Sequence, residues 1–442
     1  MEDVQEIKRG VAFDNRIGET TRRALAWWNG GRFNKETFLF LLIIWALNII
    51  VVYPIFGRDL TPAYTSCPYL ISIADFFHRF LNIPQRAFFG VLTFCSVSFF
   101  PVSFYLYVRK IAMRHEITAF IAALLFLLPS PFFGNVPIVA SAIIQGDGAH
   151  ILVLSFIPIF LLYVQTFIAT GAPVLFFLTA IVLSFLAVIS PFSVFNFVIF
   201  LGVLLIGEGF LGNLRIKLIR AFSLLITTGL LAFYWYYPGA VIKFMALPYI
   251  QQAIAKLLWI MPAAIPIIPV AGALTFLVFD RREKLKPIFI SLTLFIIYIT
   301  IYWLSGQLGI GSIFTSDRYL PELILATSFF LAVILVLLTG FVIARFLPKL
   351  KGRKAFLKTI LLVTIGVCIV GFLLISGIGD AHEYLRSGKI VNTYSQGIVP
   401  IRGFINFRDF TSILANLVSL GTFASLIYMI RRFPLKLKRR AK

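Results

Sequence analysis

The stretch 151–207, which contains no charged side chain, constrains this chain more than any other feature of its sequence. A water-soluble domain of ordinary composition carries about a quarter of its residues as charged groups. Here only 13% of 442 residues are charged and 60% are hydrophobic. Apolar runs of about 20 residues are typical of helices that cross a bilayer. The sequence therefore predicts an all-α polytopic membrane protein whose surroundings are the lipid bilayer.

Twelve apolar segments are long enough to be considered as crossings. They lie near 38–56, 87–108, 117–134, 151–168, 174–190, 192–206, 221–238, 257–279, 287–304, 322–344, 355–376 and 411–430. The expected organisation is a cytoplasmic tail (1–37), a transmembrane domain of about 12 helices (38–430) and a basic cytoplasmic tail (431–442). The first segment is long enough to be retained as a span, so we expect no cleavable signal peptide.

Whether 174–206 forms one segment or two decides on which side of the membrane every later loop lies. One helix of that length would measure about 50 Å, which is too long for a single crossing of a hydrocarbon core about 30 Å thick. We therefore expect a break at Ser190 and Pro191, with the two halves forming either two crossings or a re-entrant pair.

The net charge of +22 is explained by membrane topology. With the N-terminus in the cytoplasm, the predicted inside segments hold 30 of the 40 Lys and Arg residues, and the outside loops hold 10. This asymmetry follows the positive-inside rule and predicts a multi-pass cell-membrane protein with both termini in the cytoplasm. The basic residues form short clusters beside span ends, which argues against a nucleic-acid partner. The three cysteines indicate neither a disulfide framework nor a zinc motif.

The predicted span interiors lack Asp, Glu, Arg and His, which argues against an ion-coupled transporter. The acids and histidines concentrate in the predicted outer loops instead. Three clusters there pair a carboxylate with an imidazole: Asp75 with His78, Asp147 with His150, and Asp380 with His382 and Glu383. Such pairs suit a divalent metal or acid–base chemistry. Solvated loop charges without a function are the alternative.

The first predicted outer loop contains two features. Polar residues recur at helical spacing from Pro68 to Asn82, which predicts an amphipathic helix lying in the outer interface, either as a plain anchor or as the wall of a site. Before it, Asp59 follows the first span directly. Because such a carboxylate is desolvated on one side, we expect a raised basicity.

Two further outer positions are candidates. Asp147 stands between Gly146 and Gly148, where it could cap a helix or approach a ligand. Arg318 is the only Lys or Arg of its loop and could hold a phosphate with two hydrogen bonds. A simple surface pair with Asp317 is the alternative.

These features together resemble the GT-C superfamily of integral membrane glycosyltransferases: an acid after the first span, an amphipathic first outer loop, a second-loop acid and a later outer arginine. The resemblance is topological and covers most of the chain. It implies transfer of a sugar from a polyprenyl-phosphate-linked donor at the outer membrane face. It further implies Asp59 as catalytic base, Asp147 and His150 as residues that place the donor or a divalent metal, and Arg318 as the lipid-phosphate ligand. The supporting candidates are Asp75, His78, Asp380, His382 and Glu383.

Two other functions fit the same sequence. One is a flippase or uncoupled transporter for a lipid or lipid-linked saccharide, in which the outer polar residues form a vestibule for a headgroup. The other is a membrane scaffold without a site. The closely spaced segments between 151 and 206 favour transport mildly, because interrupted helices often border substrate paths.

Overall fold

A computed structural model describes residues 35–64, 67–112, 115–127, 138–209, 213–246, 286–308, 316–346, 382–387 and 410–432, together with the single positions 248, 251, 255, 364 and 371. These parts of the chain form α-helices and short 3₁₀ turns, and none of them forms a strand. The predicted all-α class is confirmed for these residues.

Thirteen helices carry the described fold. They are α1 Lys35–Val52, α2 Pro68–Leu81, α3 Gln85–Ile111, α4 Glu116–Leu127, α5 Ile138–Ile144, α6 Gly148–Thr170, α7 Pro173–Ile189, α8 Pro191–Gly209, α9 Leu214–Ala232, α10 Pro238–Met245, α11 Lys286–Leu308, α12 Leu320–Phe346 and α13 Phe410–Arg432.

Six of these helices, α1, α3, α6, α11, α12 and α13, are long and apolar enough to cross a membrane. The chain is therefore a helical membrane protein. Ten of the twelve predicted segments overlap a described helix. The other two, 257–279 and 355–376, lie outside the described residues apart from positions 364 and 371, as does nearly all of the tail 1–37.

The expected break in the long uncharged stretch is confirmed. Helix α7 ends at Ile189, Ser190 has an extended backbone, and α8 begins with Pro191. A proline at the first helical position is favoured because its missing N–H would lack a helical partner there. The Ser190 side chain accepts a hydrogen bond from the backbone N–H of Ser193 (3.3 Å), which caps α8.

The predicted amphipathic helix is also present, as α2. Proline begins it, and Asn82 ends it in the left-handed conformation (φ 55°), which asparagine tolerates better than most residues. Phe76, Phe80 and Leu81 are exposed on its surface.

Helix ends meet in two separate groups. At one end, which we call the Arg318 end, the turn after α1 contacts the starts of α3 and α6, and the start of α8 contacts α6. At the opposite end, the Glu208 end, the ends of α3 and α8 meet the starts of α4, α9 and α11. Successive helices thus run between the same two ends.

One continuous apolar core lies between these ends. In it α3 packs along α6, α12 packs against α4 and α11, and α7 packs against α9. The core brings the first turns of α6, α8 and α12 together, although these turns are far apart in sequence.

Candidate functional site

A buried ion pair joins the starts of α6 and α12. Asp147 precedes α6, and its carboxylate accepts two hydrogen bonds from Arg318, with Nε to Oδ2 at 2.8 Å and Nη2 to Oδ1 at 3.0 Å. Asp147 is 2% exposed and Arg318 is 4% exposed. Asp147 occupies the N-cap position of α6 but makes no side-chain capping bond. Of the two alternatives for Asp147, its side chain therefore does not cap the helix, because both carboxylate oxygens accept from the arginine.

A second polar pair lies one helical turn further into the bundle. His150 and Glu322 are 1% and 0% exposed, and His150 Nε2 lies 3.0 Å from Glu322 Oε1 without the geometry of a hydrogen bond. The other ring nitrogen, Nδ1, is 2.7 Å from the hydroxyl of Ser193. Asn196 donates to Glu322 Oε1, and Tyr298 donates to Asn196 Oδ1 at 3.4 Å.

The spacing of these residues explains why they meet. Asp147 and His150 are three residues apart, and Arg318 and Glu322 are four residues apart, so each set lies on one helical face. The ring of Phe192 packs beside both pairs, 4.3 Å from the Arg318 guanidinium carbon and 4.8 Å from the His150 ring centre. The result is a buried polar cluster at the point where three helices begin.

This cluster changes the prediction about charge inside the bundle. The predicted span interiors were expected to lack acids and histidines, yet Glu322 and His150 are fully buried among helices. Glu208, near the end of α8, is buried as well and contacts Lys217, Lys286 and Gln165 at the Glu208 end. The argument against coupled transport from missing intramembrane charge therefore loses its basis.

The divalent metal expected from the resemblance does not fit these residues as they stand. Both oxygens of Asp147 accept from Arg318, and His150 contacts Ser193 and Glu322. In the part of the chain that the structure describes, three or more His, Cys, Asp or Glu side chains never converge in a way that could hold a metal ion. We therefore assign no step to a metal.

Arg318 is also turned away from a phosphate in this arrangement. Its guanidinium is buried and binds Asp147, so Arg318 is not the surface residue that the alternative pair with the exposed Asp317 requires. The structure therefore brings two predicted site residues, Asp147 and Arg318, into contact with each other.

Asp59 lies at the Arg318 end in an open position. It is exposed, and its Oδ1 accepts from the Thr61 hydroxyl at 2.7 Å and from the Thr61 backbone N–H at 3.0 Å. These hydrogen bonds, helped by the positive charge of Arg86, hold the pKa of Asp59 below its usual range. The expected rise in basicity is wrong, because hydrogen bonding outweighs the small desolvation.

The turn that follows Asp59 contacts the start of α6. A Cβ added to Gly148 would lie 2.9 Å from the ring carbon Cζ of Tyr64 and 3.0 Å from the carbonyl oxygen of Ala63. Only glycine allows this approach without a shift of the turn. The exposed Asp59 and the buried Asp147 are thus on neighbouring pieces of backbone.

Two arginines beside Asp59 line a pocket of about 560 Å³. Arg58 donates to the carbonyl of Leu385 (2.9 Å), and Arg86 donates to the carbonyl of Gly57 (2.8 Å), so backbone contacts orient both guanidinium groups. The remaining lining is mostly apolar and comes from Phe56, Pro84, Ala87, Gly90, Val91 and Phe94. The pocket thus combines two positively charged side chains with an otherwise mostly apolar lining.

A larger apolar groove of about 890 Å³ lies between α2, α7, α9 and α13. Tyr69 of α2 stands edge-on to Phe185 and Trp235, with ring centres 5.6 and 5.7 Å away. Leu420 of α13 and Phe76 of α2 line it too. Its size falls in the range of ligand pockets, and its lining suits a hydrocarbon chain.

The remaining predicted candidates are dispersed. Asp75 accepts from Gln85, and His78 lies 3.3 Å from the carbonyl of Ile83, so this cluster does not bridge carboxylate to imidazole. His382 contacts the carbonyl of Ile50 (3.0 Å), and Glu383 is exposed nearby. Asp380 lies outside the described residues.

Sequence reasoning did not single out five contributors to these sites: Arg58, Arg86, Ser193, Asn196 and Glu322. The sequence held one signal. Asp147 and His150 at the start of α6 are spaced by three residues, and Arg318 and Glu322 at the start of α12 are spaced by four, so that each acid can face a base of the other helix.

Comparison with known proteins gives no relative. No protein-family model matches this chain, no curated protein matches it, and no solved structure matches it.

Proposed function

We propose that this chain is a membrane glycosyltransferase that takes a sugar from a polyprenyl-phosphate-linked donor at the Arg318 end. The observation that carries the proposal is an exposed, ionised carboxylate, Asp59, next to a pocket lined by Arg58 and Arg86 with an apolar floor. A lipid phosphate needs this combination, since guanidinium groups bind its oxygens and hydrocarbon contacts its chain.

The orientation in the membrane belongs to the same proposal. Arg109, Lys217, Arg220 and Lys286, which belong to segments predicted to lie inside, are at the Glu208 end, whereas Arg58, Arg86 and Arg318 are at the other end. The orientation is proposed from the excess of Lys and Arg in the predicted inside segments of the whole sequence, by which the Glu208 end faces the cytoplasm and the Arg318 end faces outward. The proposal also includes twelve membrane crossings and a GT-C-like fold.

The proposed chemistry uses Asp59 as general base and the two arginines as phosphate ligands. The acceptor hydroxyl gives its proton to the Asp59 carboxylate while its oxygen forms a bond to the anomeric carbon of the sugar. The bond from that carbon to the phosphate oxygen breaks, and polyprenyl phosphate leaves with the electron pair. Arg58 and Arg86 stabilise the added negative charge. Asp59 is ionised at neutral pH and can accept the proton, and its lowered pKa makes it a weaker base than an ordinary aspartate.

The roles implied for Arg318, Asp147 and His150 are revised in this proposal. Because Arg318 is engaged with Asp147, the phosphate is assigned to Arg58 and Arg86 instead. Gly148, next to Asp147, packs against the turn that follows Asp59. The groove of about 890 Å³ is proposed to accept the isoprenoid chain of the donor or of a lipid acceptor.

The test is a transfer assay on purified protein with synthetic polyprenyl-phosphate sugars. Asp59→Asn should lower turnover by about 10²–10⁴-fold, the range expected for loss of a general base. Asp317→Asn removes another exposed acid at the same end and should leave turnover unchanged. Equal turnover by the wild type and Asp59→Asn would remove Asp59 from the reaction.

Donor binding is tested separately by native mass spectrometry. Polyprenyl phosphate should be retained by the wild type and by Arg79→Ala, which deletes an exposed arginine outside the pocket, and retained less by Arg86→Ala. Equal retention by both variants would show that the pocket does not hold the phosphate.

A lipid flippase is the second candidate, favoured by the buried charges between α6, α8 and α12. Reconstitution in liposomes distinguishes the two functions. Movement of the lipid headgroup across the bilayer without any covalent change would replace the transferase by the flippase.

A further inference from the structure

The apolar groove between α2, α7, α9 and α13 is separate from the pocket beside Asp59. The described linings of the two cavities have no residue in common. Asp75 of α2 accepts a hydrogen bond from Gln85 of α3. The ring of Phe77 of α2 stacks on that of Phe88 of α3, with centres 5.5 Å apart. At about 3.6 residues per turn, this side of α2 is opposite to the side that lines the groove, so α2 stands between the groove and α3.

The pocket lies on another face of α3. The α3 residues that line it are centred roughly 150° around the helix from the face that meets α2. They are Arg86, Ala87, Gly90, Val91 and Phe94. A lipid with its phosphate at Arg86 would need to pass around both helices to reach the groove. The groove therefore lies outside the path of the donor chain.

The groove is open to the bilayer along α13. In the part of the chain that the structure describes, this helix packs mainly against α9 and α10. Leu417 and Leu420, which line the groove, are 62% and 64% exposed. Because α13 is long and apolar enough to cross a membrane, its exposed apolar side chains contact hydrocarbon. The medium that meets this groove is therefore lipid.

Helix α13 runs antiparallel to α9. Ser419 of α13 accepts a hydrogen bond from the backbone N–H of Tyr234 and donates one to the carbonyl of Leu230, both at 2.9 Å. Ala415, one turn earlier in α13, packs with Tyr237, which lies further along the chain from α9. Since α9 begins at the Glu208 end, the start of α13 lies nearer the Arg318 end.

This direction gives the groove a polar end and an apolar end. Asn416 lines it toward the Arg318 end, beside the level of Tyr234 and Trp235 at the end of α9. Leu420 and Phe423 line it one and two turns further into the bundle. Aromatic side chains with a polar group are typical of the membrane interface. The lining thus changes from interfacial to hydrocarbon-like along α13.

Asn416 is a polar side chain in this apolar lining. The hydroxyl groups of Ser184 and Ser419 donate to the carbonyls of Ile181 and Leu230, so both serines are satisfied by helix backbone. The Asn416 amide is half-buried and makes no hydrogen bond to any residue that the structure describes. An amide in hydrocarbon without a partner is costly, and its two N–H groups require acceptors.

We propose that the groove binds one acyl chain of a glycerophospholipid from the leaflet at the Arg318 end, and that the Asn416 amide donates to an ester carbonyl of that lipid. Such a lipid carries its ester carbonyls directly above its chains, which matches Asn416 toward the Arg318 end and Phe423 further in. An isoprenoid chain has no acceptor at that depth and would leave the amide without a partner. The groove then serves a bilayer lipid in place of the isoprenoid chain considered for the transferase, and the chemistry of Asp59 is unaffected.

The experiment is titration of the delipidated full chain with phosphatidylglycerol, followed by native mass spectrometry. Two forms of this lipid are compared, with the same headgroup and chain length: the ordinary diester and the dialkyl ether, which has no carbonyl. The wild type should bind the diester about three- to tenfold more tightly, which is the factor expected for one neutral hydrogen bond. Equal affinity for the two lipids would overturn the proposal.

A variant tests whether Asn416 makes this contact. Asn416→Leu keeps the size of the side chain and removes the amide, so it should bind both lipids as the wild type binds the ether. Ser425→Ala is the control, because this hydroxyl also lies on α13 but bonds to the carbonyl of Gly421 in its own helix, and the preference for the diester should remain. An unchanged preference in Asn416→Leu would refute the contact. If that variant does not fold, the comparison of the two lipids on the wild type still decides.

A second variant tests whether the chain lies in the groove. Ser184→Trp fills part of it and should weaken the binding of both forms of phosphatidylglycerol. Polyprenyl phosphate should be retained, because its pocket shares no described lining residue with the groove. Weakened binding of polyprenyl phosphate with full retention of phosphatidylglycerol would give the groove to an isoprenoid chain. Full retention of phosphatidylglycerol alone is enough to overturn the proposal.

Discussion

The buried pair of Asp147 and Arg318 offers a sharp test of the packing between α6 and α12. Removing one partner leaves the other charge buried, which typically costs about 3–5 kcal/mol. Replacing both by apolar residues of similar size is often neutral or stabilising. We therefore expect Asp147→Leu and Arg318→Met to destabilise singly, and the double variant to lie close to the wild type.

The structure also predicts the order of the two single variants. A lone Asp147 would sit at the N-terminus of α6, where the helix dipole stabilises a negative charge by about 0.5–2 kcal/mol in a partly buried position. A lone Arg318 would sit before the N-terminus of α12, where the dipole is repulsive and the ring of Phe192 supplies about 2 kcal/mol at most. Asp147→Leu should therefore cost about 3–5 kcal/mol, and Arg318→Met about 1–2 kcal/mol less.

The assay is reversible unfolding in mixed micelles of increasing dodecyl sulfate content, followed by tryptophan fluorescence. The double-variant cycle gives a coupling energy, and Asp317→Asn is the exposed control that should change stability by less than about 0.5 kcal/mol. The reasoning is refuted if Asp147→Leu costs less than Arg318→Met, or if the double variant is as unstable as the sum of its parts.

Three further outcomes follow from contacts described above. Gly148→Ala should lower the free energy of unfolding by about 1–3 kcal/mol, as measured by thermal unfolding, because the added Cβ would collide with the turn after α1. The control is Gly202→Ala, whose Cβ would contact nothing within 4 Å, and this variant should be neutral or stabilising. Thr61→Val should raise the pKa of Asp59, as measured by carbon NMR titration of the carboxyl group, and an unchanged pKa would assign the lowering to another group. In the wild type, the stability that the Asp59 carboxylate contributes should be present above its ordinary pKa near 4 and should be lost as pH falls through its lower pKa in the folded protein. Ser184→Trp should fill part of the apolar groove and reduce the lipid that co-purifies with the protein in native mass spectrometry, and full lipid retention would show that the groove is not its site.

The predictable parts of the fold were those governed by local rules. Segment length and a Ser-Pro step were enough to place the break between α7 and α8, and helical spacing of polar residues was enough to place α2. The Asp59 environment was misjudged because its pKa depends on two hydrogen bonds from Thr61, which no pattern at the span end reveals.

The pairing at the site could not be read from the chain. Asp147 and Arg318 were each singled out, yet they lie 171 residues apart and were given separate roles. Glu322 stands at the start of a predicted span, where burial depends on how α12 packs against its neighbours. The matched spacings of three and four residues put each pair on one helical face, but the packing of three helices decides which faces meet.

The turn after α1 is held by a segment that is synthesised much later in the chain. Arg58 donates to the carbonyl of Leu385, 327 residues further on, and Arg386 and His382 contact Tyr53 and the carbonyl of Ile50. At synthesis rates of about 5–20 residues per second, this partner emerges roughly 16–65 s after the turn itself. During biogenesis α1 therefore lacks these contacts at one end until late in synthesis, and the Arg58 side of the pocket forms only near the end of translation.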